Sequence, residues 1–346
     1  TIRCTVSSRP THRLAGRRRA GPPYVGRMDA PVVLISAAVW DRQAAALSAA
    51  APGLETVLFR PGDLVTADDL ALVTVAFSSD DLYPASTPSF MRICLDAPAL
   101  SWLQIFSAGV DHPVFAMVRD RGVRLTTASG AAAIPIAHHV VLCVLALAHD
   151  LPGFLRDQQQ KMWRPRGIDD VEHRTLGVVG MGPIGTEVAR LGVQFGMSVV
   201  GMRRSVSGAE PCETWTFERL DELLGRVDDL VLAVPLTTET RGMLGDRELR
   251  LLRPGARIVN VGRGELIDEP ALVEHLRSGH LGGAALDVFT TEPLPPESPL
   301  WEMTNVIVTP HTSGETRLAS LRTEELFVDN LGRWVRGEPL RNEVTT

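Results

Sequence analysis

The stretch TLGVVGMGPIG, residues 175–185, decides the fold. It begins with an apolar run at 176–179 that predicts a buried strand, and residues 187–195 then have the spacing of a helix. Further apolar runs predict strands at 199–202, 229–234, 257–261, 283–288 and 305–308. Helical patterns separate most of these runs, so the alternation predicts a doubly wound parallel sheet.

The turn between that strand and helix contains the glycines of a GxGxxG pattern. Gly180 permits the tight turn, Gly182 lets the backbone approach a pyrophosphate, and Gly185 lets helix and strand pack closely. The helix start at Pro183 and Ile184 would then face the phosphates, because N–H groups at a helix start lack helical partners. The pattern predicts a dinucleotide site, and a strand–helix turn without a ligand is the alternative.

A second α/β unit is predicted ahead of this one. Its strands are expected at 32–35, 73–77 and 102–106, with a helix at 41–50. The long apolar segment 131–149 lies between the two units, and its length and composition predict a helix packed between domains or against a second copy.

The stretch 315–337 is predicted to be an amphipathic helix. Leu318, Leu321, Leu326 and Leu331 have the spacing of one helix face. Because the helix follows the last strand of the second unit, we expect it to return to the first.

Composition excludes several classes of function. The chain of 346 residues has a formal net charge of -6, which argues against a nucleic-acid binder. The longest apolar segment is interrupted by His138 and His139, so we predict no membrane span. The four cysteines have no pairing or metal-ligand spacing, which predicts reduced thiols, no metal site and a cytoplasmic protein.

Residues 1–27 differ from the rest of the chain because they hold seven arginines and no acid. We expect an extension outside the fold, with the true start at Met28. An organelle transit peptide, which is also Arg-rich and poor in acids, is the alternative.

Arg203 and Arg204 follow the strand at 199–202, where an acid commonly binds the ribose 2′-hydroxyl of NAD. The run has no acid, and guanidinium groups can bind a 2′-phosphate bidentately. The sequence therefore predicts a preference for NADP(H), with NAD(H) possible. Solvated arginines and loose selectivity are the alternative.

Arg263, Glu292 and His311 each follow a predicted strand of the second unit. Ligands of open α/β sheets bind beyond the carboxyl ends of the strands, so these side chains can meet in one cleft. Reduction of a 2-keto acid needs a proton on the carbonyl oxygen, which a histidine can give near neutral pH. A carboxylate would stabilise the imidazolium, and an arginine would hold the substrate carboxylate and polarise the carbonyl.

The chain resembles the D-isomer-specific 2-hydroxyacid dehydrogenase family. The matching motifs, in the family's order and spacing, are GMGPIG at 180–185, VPLTTETRGM at 234–243, RPGARIVNVGRG at 253–264, ALDVFTTEPL at 285–294 and TPH at 309–311. The resemblance implies that Arg263, Glu292 and His311 form the catalytic triad.

The resemblance also implies further cofactor contacts. Asp287 would contact the nicotinamide carboxamide, and the backbone at Val234 and Pro235 and at Val261 and Gly262 would border the cofactor. A loop or capping role is the alternative for Asp287.

The family fold implies two Rossmann-like domains with a discontinuous substrate domain. Residues 28–127 and 312–346 would form the substrate domain, and residues 128–311 the inserted dinucleotide-binding domain. Family members usually dimerise through the cofactor domain, which gives segment 131–149 an expected place in a homodimer. This chain has His138-His139 where the family often has an acid before its histidine.

On the substrate side, residues 77–79 and 107–111 resemble loops that border the substrate. Backbone N–H groups near Ser78 and Ser79 are expected to bind its carboxylate, although small polar residues are also common in turns. Trp301 is expected on the surface or in the core, and an approach to a partner's pocket is the alternative.

The expected activity is reduction of glyoxylate, hydroxypyruvate or a similar short 2-keto acid. A phosphoglycerate dehydrogenase is the second candidate, although no basic cluster that could bind a phosphate lies near residues 77–79. A dinucleotide-sensing protein like the corepressors of this fold is the third candidate.

Overall fold

The computed structural model describes residues 30–62 and 65–345. The expected extension at 1–27 and the start at Met28 lie outside these residues. Two α/β lobes, each built on a parallel sheet, make up the described chain.

The first lobe contains a five-stranded sheet in the order β2-β1-β3-β4-β5. Its strands are β1 Val32–Ser36, β2 Glu55–Phe59, β3 Val75–Ser78, β4 Trp102–Ile105 and β5 Arg124–Thr126. Its helices are α1 Ala37–Ala50, α2 Ala67–Leu72, α3 Thr87–Asp96 and α4 Pro113–Asp120. The edge strands β2 and β5 were not among the predicted ones, and β5 has only three residues.

The second lobe contains a seven-stranded sheet in the order β12-β11-β10-β9-β6-β7-β8. Its strands are β6 Thr175–Val179, β7 Ser198–Met202, β8 Glu213–Trp215, β9 Asp229–Leu232, β10 Ala256–Asn260, β11 Leu281–Leu286 and β12 Val306–Val308. Its helices are α5 Ala133–Ala148, α6 Leu151–Gln159, α7 Pro183–Gln194, α8 Leu220–Leu224, α9 Asp246–Leu251 and α10 Glu269–Arg277. The doubly wound parallel architecture is confirmed.

Helix α7 begins at Pro183, directly after the glycine turn and four residues before the helical spacing becomes visible in the sequence. Proline favours the first position of a helix because its φ is already helical. It lacks an N–H group, but an N–H group at this position would have no acceptor within the helix. The turn therefore passes straight into the helix N-terminus.

The last helix, α11 Arg317–Arg336, returns to the first lobe and packs on α1. Its buried apolar side chains include Phe327, Leu331 and Trp334, and Phe327 stacks on Phe77 with ring centroids 4.5 Å apart. The predicted apolar face was wrong at its first position, because Leu318 is 60% exposed. The helix instead buries a face that contains two aromatic rings.

Helix α5 packs its buried side against α7 and against the strands β10 and β11. No single helix within 30–62 and 65–345 is long and apolar enough to cross a membrane, although α5 and α6, bent by 67° at their break, pass that test as a pair by length and composition.

Candidate active site

His311 and Glu292 form the centre of the cleft between the lobes. The imidazole Nδ1 lies 2.8 Å from Oε2 of Glu292, and the other carboxylate oxygen accepts a hydrogen bond from the Phe289 N–H at 3.0 Å. Both side chains are partly exposed. In the described part of the chain, Nε2 of His311 has no hydrogen-bond partner. This nitrogen is therefore available to a ligand.

Charges around this pair shift both pKa values. The hydrogen bond to Glu292 raises the pKa of His311, while burial and the Arg263 charge oppose the rise. Burial favours a higher pKa for Glu292, but the hydrogen bonds from His311 and the Phe289 N–H lower it overall. The site therefore favours an imidazolium beside a carboxylate.

The backbone of His311 lies in the left-handed region, with φ at +52°. A residue other than glycine holds this conformation only where its surroundings stabilise it. Asp287 supplies that support, since its carboxylate accepts bonds from the Thr309 hydroxyl at 2.6 Å and from the N–H groups of Thr312 at 3.0 Å and Ser313 at 3.1 Å. Asp287 is only 2% exposed, so its visible role is to hold the loop that presents His311.

His139 extends this network into helix α5. Its Nε2 lies 3.4 Å from the Thr309 hydroxyl and 3.4 Å from Sγ of Cys143. His138 is exposed on the same helix. His139 thus contacts the loop that presents His311, whereas His138 lies on the surface.

Arg263 reaches the same cleft from the turn after β10. Its guanidinium pairs with Asp111 of the first lobe, and Nη1 donates to the Gly262 carbonyl at 2.8 Å. Asn260 holds the turn by donating to the Arg263 carbonyl at 2.8 Å and accepting from the Gly262 N–H at 3.0 Å. At Gly264 a methyl group would overlap the main chain at 289–290. The turns that carry Arg263 and Glu292 are therefore in direct contact.

Sequence reasoning did not identify Asp111 or Asn260 as functional residues. Asn260 stands within the motif that carries Arg263, and Asp111 within a loop expected near the substrate. The motif could have indicated Asn260. Asp111 is 152 residues from its partner, and only the fold shows that contact.

The glycine turn has the geometry that a dinucleotide needs. At Gly180, where φ is +108°, a side chain would overlap Ala233 and Val234, and at Gly185 it would overlap the Gly180 carbonyl. Among the residues that the structure describes, nothing lies within 4 Å of a Cβ position at Gly182, and no side chain caps the start of α7. The open side of the turn and the free helix N-terminus fit a pyrophosphate.

The turns after β9 and β10 lie beside this glycine turn. A methyl group at Gly262 would come 2.9 Å from the Val234 carbonyl, and Gly180 packs on Ala233. The backbones at 234–235 and 261–262 thus border the same edge of the sheet.

The loop after β7 folds back and brings an acid to Arg203 that the run 202–205 itself lacks. Arg203 donates to Glu210 at 2.6 Å, and the same carboxylate accepts from Ser207 and from the Gly208 N–H. Hydrogen bonds from Ser207 and Arg203 lower the pKa of Glu210 to about 2. Arg204 is exposed and forms no ion pair among the described residues.

The side chains of Ser78 and Ser79 are buried at the end of β3. Ser79 donates to Asp81 at 2.5 Å, and Ser36 donates to the same carboxylate. The Ser79 hydroxyl is therefore turned into the lobe. The Ser79 N–H has no backbone acceptor in the described chain, so a ligand contact here would be made by the main chain.

Comparison with known proteins identifies the family. Residues 141–313 match the model of the D-isomer specific 2-hydroxyacid dehydrogenase, NAD binding domain. The chain belongs to the D-isomer specific 2-hydroxyacid dehydrogenase family. It is therefore an NAD(P)-dependent oxidoreductase acting on CH–OH donors, and the resemblance stated from the motifs is confirmed.

Relatives support the same family. A glyoxylate reductase of Aeropyrum pernix is 34% identical over 284 residues, covering 77% of this chain and 83% of the relative. A D-isomer specific 2-hydroxyacid dehydrogenase of Xanthobacter autotrophicus, solved with NADPH and MES, is 33% identical with a TM-score of 0.76, covering 92% of this chain and 98% of that one. The NADPH-dependent glyoxylate/hydroxypyruvate reductase of Sinorhizobium meliloti, solved with NADP and sulfate, is 30% identical with a TM-score of 0.76, covering 91% and 98%.

The hydrogen bond between Glu292 and His311 makes a testable prediction. Substituting Glu292→Gln removes the carboxylate charge that stabilises the imidazolium, so the pKa of His311 should fall. NMR titration of the imidazole, assigned by its loss in His311→Asn, measures the change. The exposed Glu302→Gln serves as the control and should leave the titration unchanged. An unchanged His311 midpoint in Glu292→Gln would contradict the electrostatic account.

Proposed function

We propose that the chain reduces glyoxylate, hydroxypyruvate or a closely similar short 2-keto acid to the D-2-hydroxy acid. The observation that carries the proposal is that His311 and Glu292 form a pair, with the Arg263 turn in contact with the turn of Glu292. Glyoxylate reductases among the relatives support the substrate class.

His311 is the proton donor in this proposal. When bound, the reduced nicotinamide supplies the hydride to C2 of the substrate. Nε2 of His311 donates the proton to the carbonyl oxygen, and Glu292 keeps the imidazole charged and oriented through Nδ1. Because reduction needs the imidazolium, activity should decline as the pH rises through the raised pKa of His311.

The substrate carboxylate is held from both lobes. Arg263 binds it and polarises the carbonyl, since charge-assisted bonds from a guanidinium are among the strongest available. Main-chain N–H groups at Ser78 and Ser79 complete the contact from the first lobe, where the Ser79 N–H has no backbone acceptor in the described chain.

The dinucleotide lies along the carboxyl edge of the second sheet in this proposal. The open face of Gly182 and the uncapped start of α7 support this placement of the pyrophosphate. In the part of the chain that the structure describes, one carboxylate oxygen of Asp287 has Ser313 as its single donor, so it can still accept from the carboxamide. The proposed cofactor-binding residues are Gly180, Gly182, Pro183, Ile184, Gly185, Arg203, Arg204, Val234, Pro235, Val261, Gly262 and Asp287.

NADP(H) is the preferred cofactor in this proposal, with NAD(H) accepted less well. Arg204 is exposed at the end of β7, where a 2′-phosphate would sit, while Arg203 shares its charge with Glu210. Arg204 therefore contributes more to the preference than Arg203. The NADPH and NADP complexes of the related structures support this choice.

We divide the chain into a substrate domain at 28–127 and 312–346 and a dinucleotide-binding domain at 128–311. The division is supported by β5, which ends the first sheet at Thr126, and by β12, which ends the second at Val308. The buried thiols of Cys94 and Cys143 suit a reducing compartment, so the cytoplasm is the proposed location.

A homodimer through the second lobe is part of the proposal. Eight of the sixteen exposed large apolar side chains of the described chain lie between residues 134 and 168. Leu142 on the outer side of α5 is 60% exposed, and Trp163 beyond α6 is 94% exposed. Exposed apolar surface concentrated in this way is typical of a protein interface. Trp301, 52% exposed, donates to the Pro295 carbonyl on the surface of its own chain.

The activity is tested with glyoxylate, hydroxypyruvate and 3-phosphohydroxypyruvate in the presence of NADPH. We expect turnover with the first two, and His311→Ala should reduce kcat by roughly 10²–10⁴-fold because the general acid is lost. The exposed His173→Ala is the control. A preference for the phosphorylated substrate would favour a phosphoglycerate dehydrogenase, and no turnover with any substrate would favour a sensor.

The cofactor preference is tested by comparing kcat/KM for NADPH and NADH. Arg204→Ala should reduce the NADPH:NADH ratio by roughly 10- to 100-fold, since a hydrogen bond to a charged group contributes about 1.5–3 kcal/mol. Arg203→Ala should have a smaller effect, and Arg277→Ala on α10 none. A wild-type preference for NADH would reject the assignment.

Analytical ultracentrifugation tests the dimer. The wild-type protein should have twice the mass of one chain, and Leu142→Glu should be monomeric because it places a charge in the interface. Leu72→Glu changes an equally exposed leucine of the first lobe and should remain dimeric. If both variants sediment like the wild type, the interface lies elsewhere.

A further inference from the structure

Asp111 forms an ion pair with Arg263 across the cleft between the lobes. Its Oδ2 lies 3.1 Å from Nε of Arg263 and its Oδ1 lies 3.1 Å from Nη2. Asp111 follows β4 of the first lobe and Arg263 follows β10 of the second. One carboxylate thus binds one whole edge of the guanidinium.

The remaining N–H groups of Arg263 point to what this pair does. A guanidinium carries five N–H donors in a rigid plane. Asp111 takes one on Nε and one on Nη2, and the Gly262 carbonyl takes one on Nη1. Within 30–62 and 65–345, one donor on each terminal nitrogen has no protein acceptor and is left for a ligand. The pair therefore leaves two donors free while it fixes the plane of the group.

Gly109 provides independent support from the same loop. A methyl group at this position would overlap Nη2 of Arg263 and Oδ1 of Asp111. The loop backbone thus lies directly against the ion pair, and it leaves no room for a side chain at position 109. Both Gly109 and Asp111 shape the first lobe to accept this one side chain.

We propose that Asp111 is a positioning residue that orients Arg263 toward the substrate from the opposite lobe. The proposal rests on the proposed function, in which Arg263 binds the 2-keto acid. A free arginine side chain samples many rotamers, and a bidentate partner restricts it to one plane. Because the partner belongs to the other lobe, Arg263 is oriented only while the two lobes are in contact.

Asp111→Asn tests the proposal, because a carboxamide has a single acceptor oxygen and cannot bind both nitrogens. We expect kcat/KM for glyoxylate to fall by roughly 10- to 100-fold, with a lower kcat and a higher KM, as misplacement of a substrate-binding group does. The dissociation constant of NADPH should not change. Asp120→Asn, an exposed acid on α4 outside any ion pair of the described chain, should match the wild type.

A second variant displaces the arginine without changing a charge. Gly109→Ala should push the Arg263 guanidinium aside and reduce kcat/KM in the same way, while Gly225→Ala, which meets only ordinary contacts, should not. Melting temperatures near that of the wild type would establish that the variants are folded.

A double-mutant cycle with Arg263→Lys separates positioning from a general structural role. A lysine ammonium has no planar pair of donors that a carboxylate can bind bidentately, so Asp111→Asn should reduce kcat/KM little further in the Arg263→Lys variant. Additive losses would mean that Asp111 acts independently of Arg263 and would overturn the proposal. Wild-type or higher kcat/KM in Asp111→Asn would overturn it as well, and would mark Asp111 as a carboxylate that competes with substrate.

Binding of oxalate to the NADP⁺ complex distinguishes failure of this inference from failure of the proposed function. Calorimetry should show that the wild type binds oxalate and that Asp111→Asn binds it more weakly. If the wild type reduces glyoxylate but the wild type and Asp111→Asn bind oxalate with equal affinity, the positioning role alone is rejected. A wild type that neither binds oxalate nor turns over a 2-keto acid would reject both.

Discussion

All strands of a parallel sheet end at the same edge, and the whole site depends on this constraint. The glycine turn after β6, the Arg263 turn after β10 and the His311 loop after β12 therefore share one edge of the second sheet. The first lobe presents the corresponding edge of its own parallel sheet, with Ser79 after β3 and Asp111 after β4. Residues far apart in the sequence therefore meet at one site because the parallel strands that precede them end at the same edge.

Electrostatic balance then sets the state of the imidazole. Glu292 favours the charged form of His311, while burial and the positive charge of Arg263 oppose it. The Arg263 charge lies close enough to reduce the proton affinity of the histidine. The direct hydrogen bond to Glu292 is the largest influence on the pKa of His311, and together with the Glu292 charge it outweighs this effect.

The sequence predicted those parts of the molecule that depend on local pattern. Apolar runs predicted most strands of the second sheet, and the glycine spacing predicted the turn before α7. The short edge strand β8 was missed because its three residues, Glu213–Trp215, contain no apolar run. Leu318 was placed on the wrong face because leucine spacing does not show that aromatic rings of the same helix fill the contact.

Contacts between residues far apart in sequence could not be predicted. The partner of Arg263 is in the other lobe, and Glu210 reaches Arg203 through a loop whose course no periodicity describes. Asp287 stood in a recognised motif, yet its bonds to Thr312 and Ser313 depend on the left-handed turn at His311. Such contacts are products of the tertiary fold.

The return of α11 to the first lobe means that the polypeptide passes between the lobes twice, once at 127–132 and again at 309–316. Two connections form a hinge, so rotation of one lobe relative to the other is confined to an axis through both connections. His311 lies within the second of these connections, at 309–316. Rotation about this axis would therefore displace His311 less than those parts of the first lobe that lie farther from the two connections.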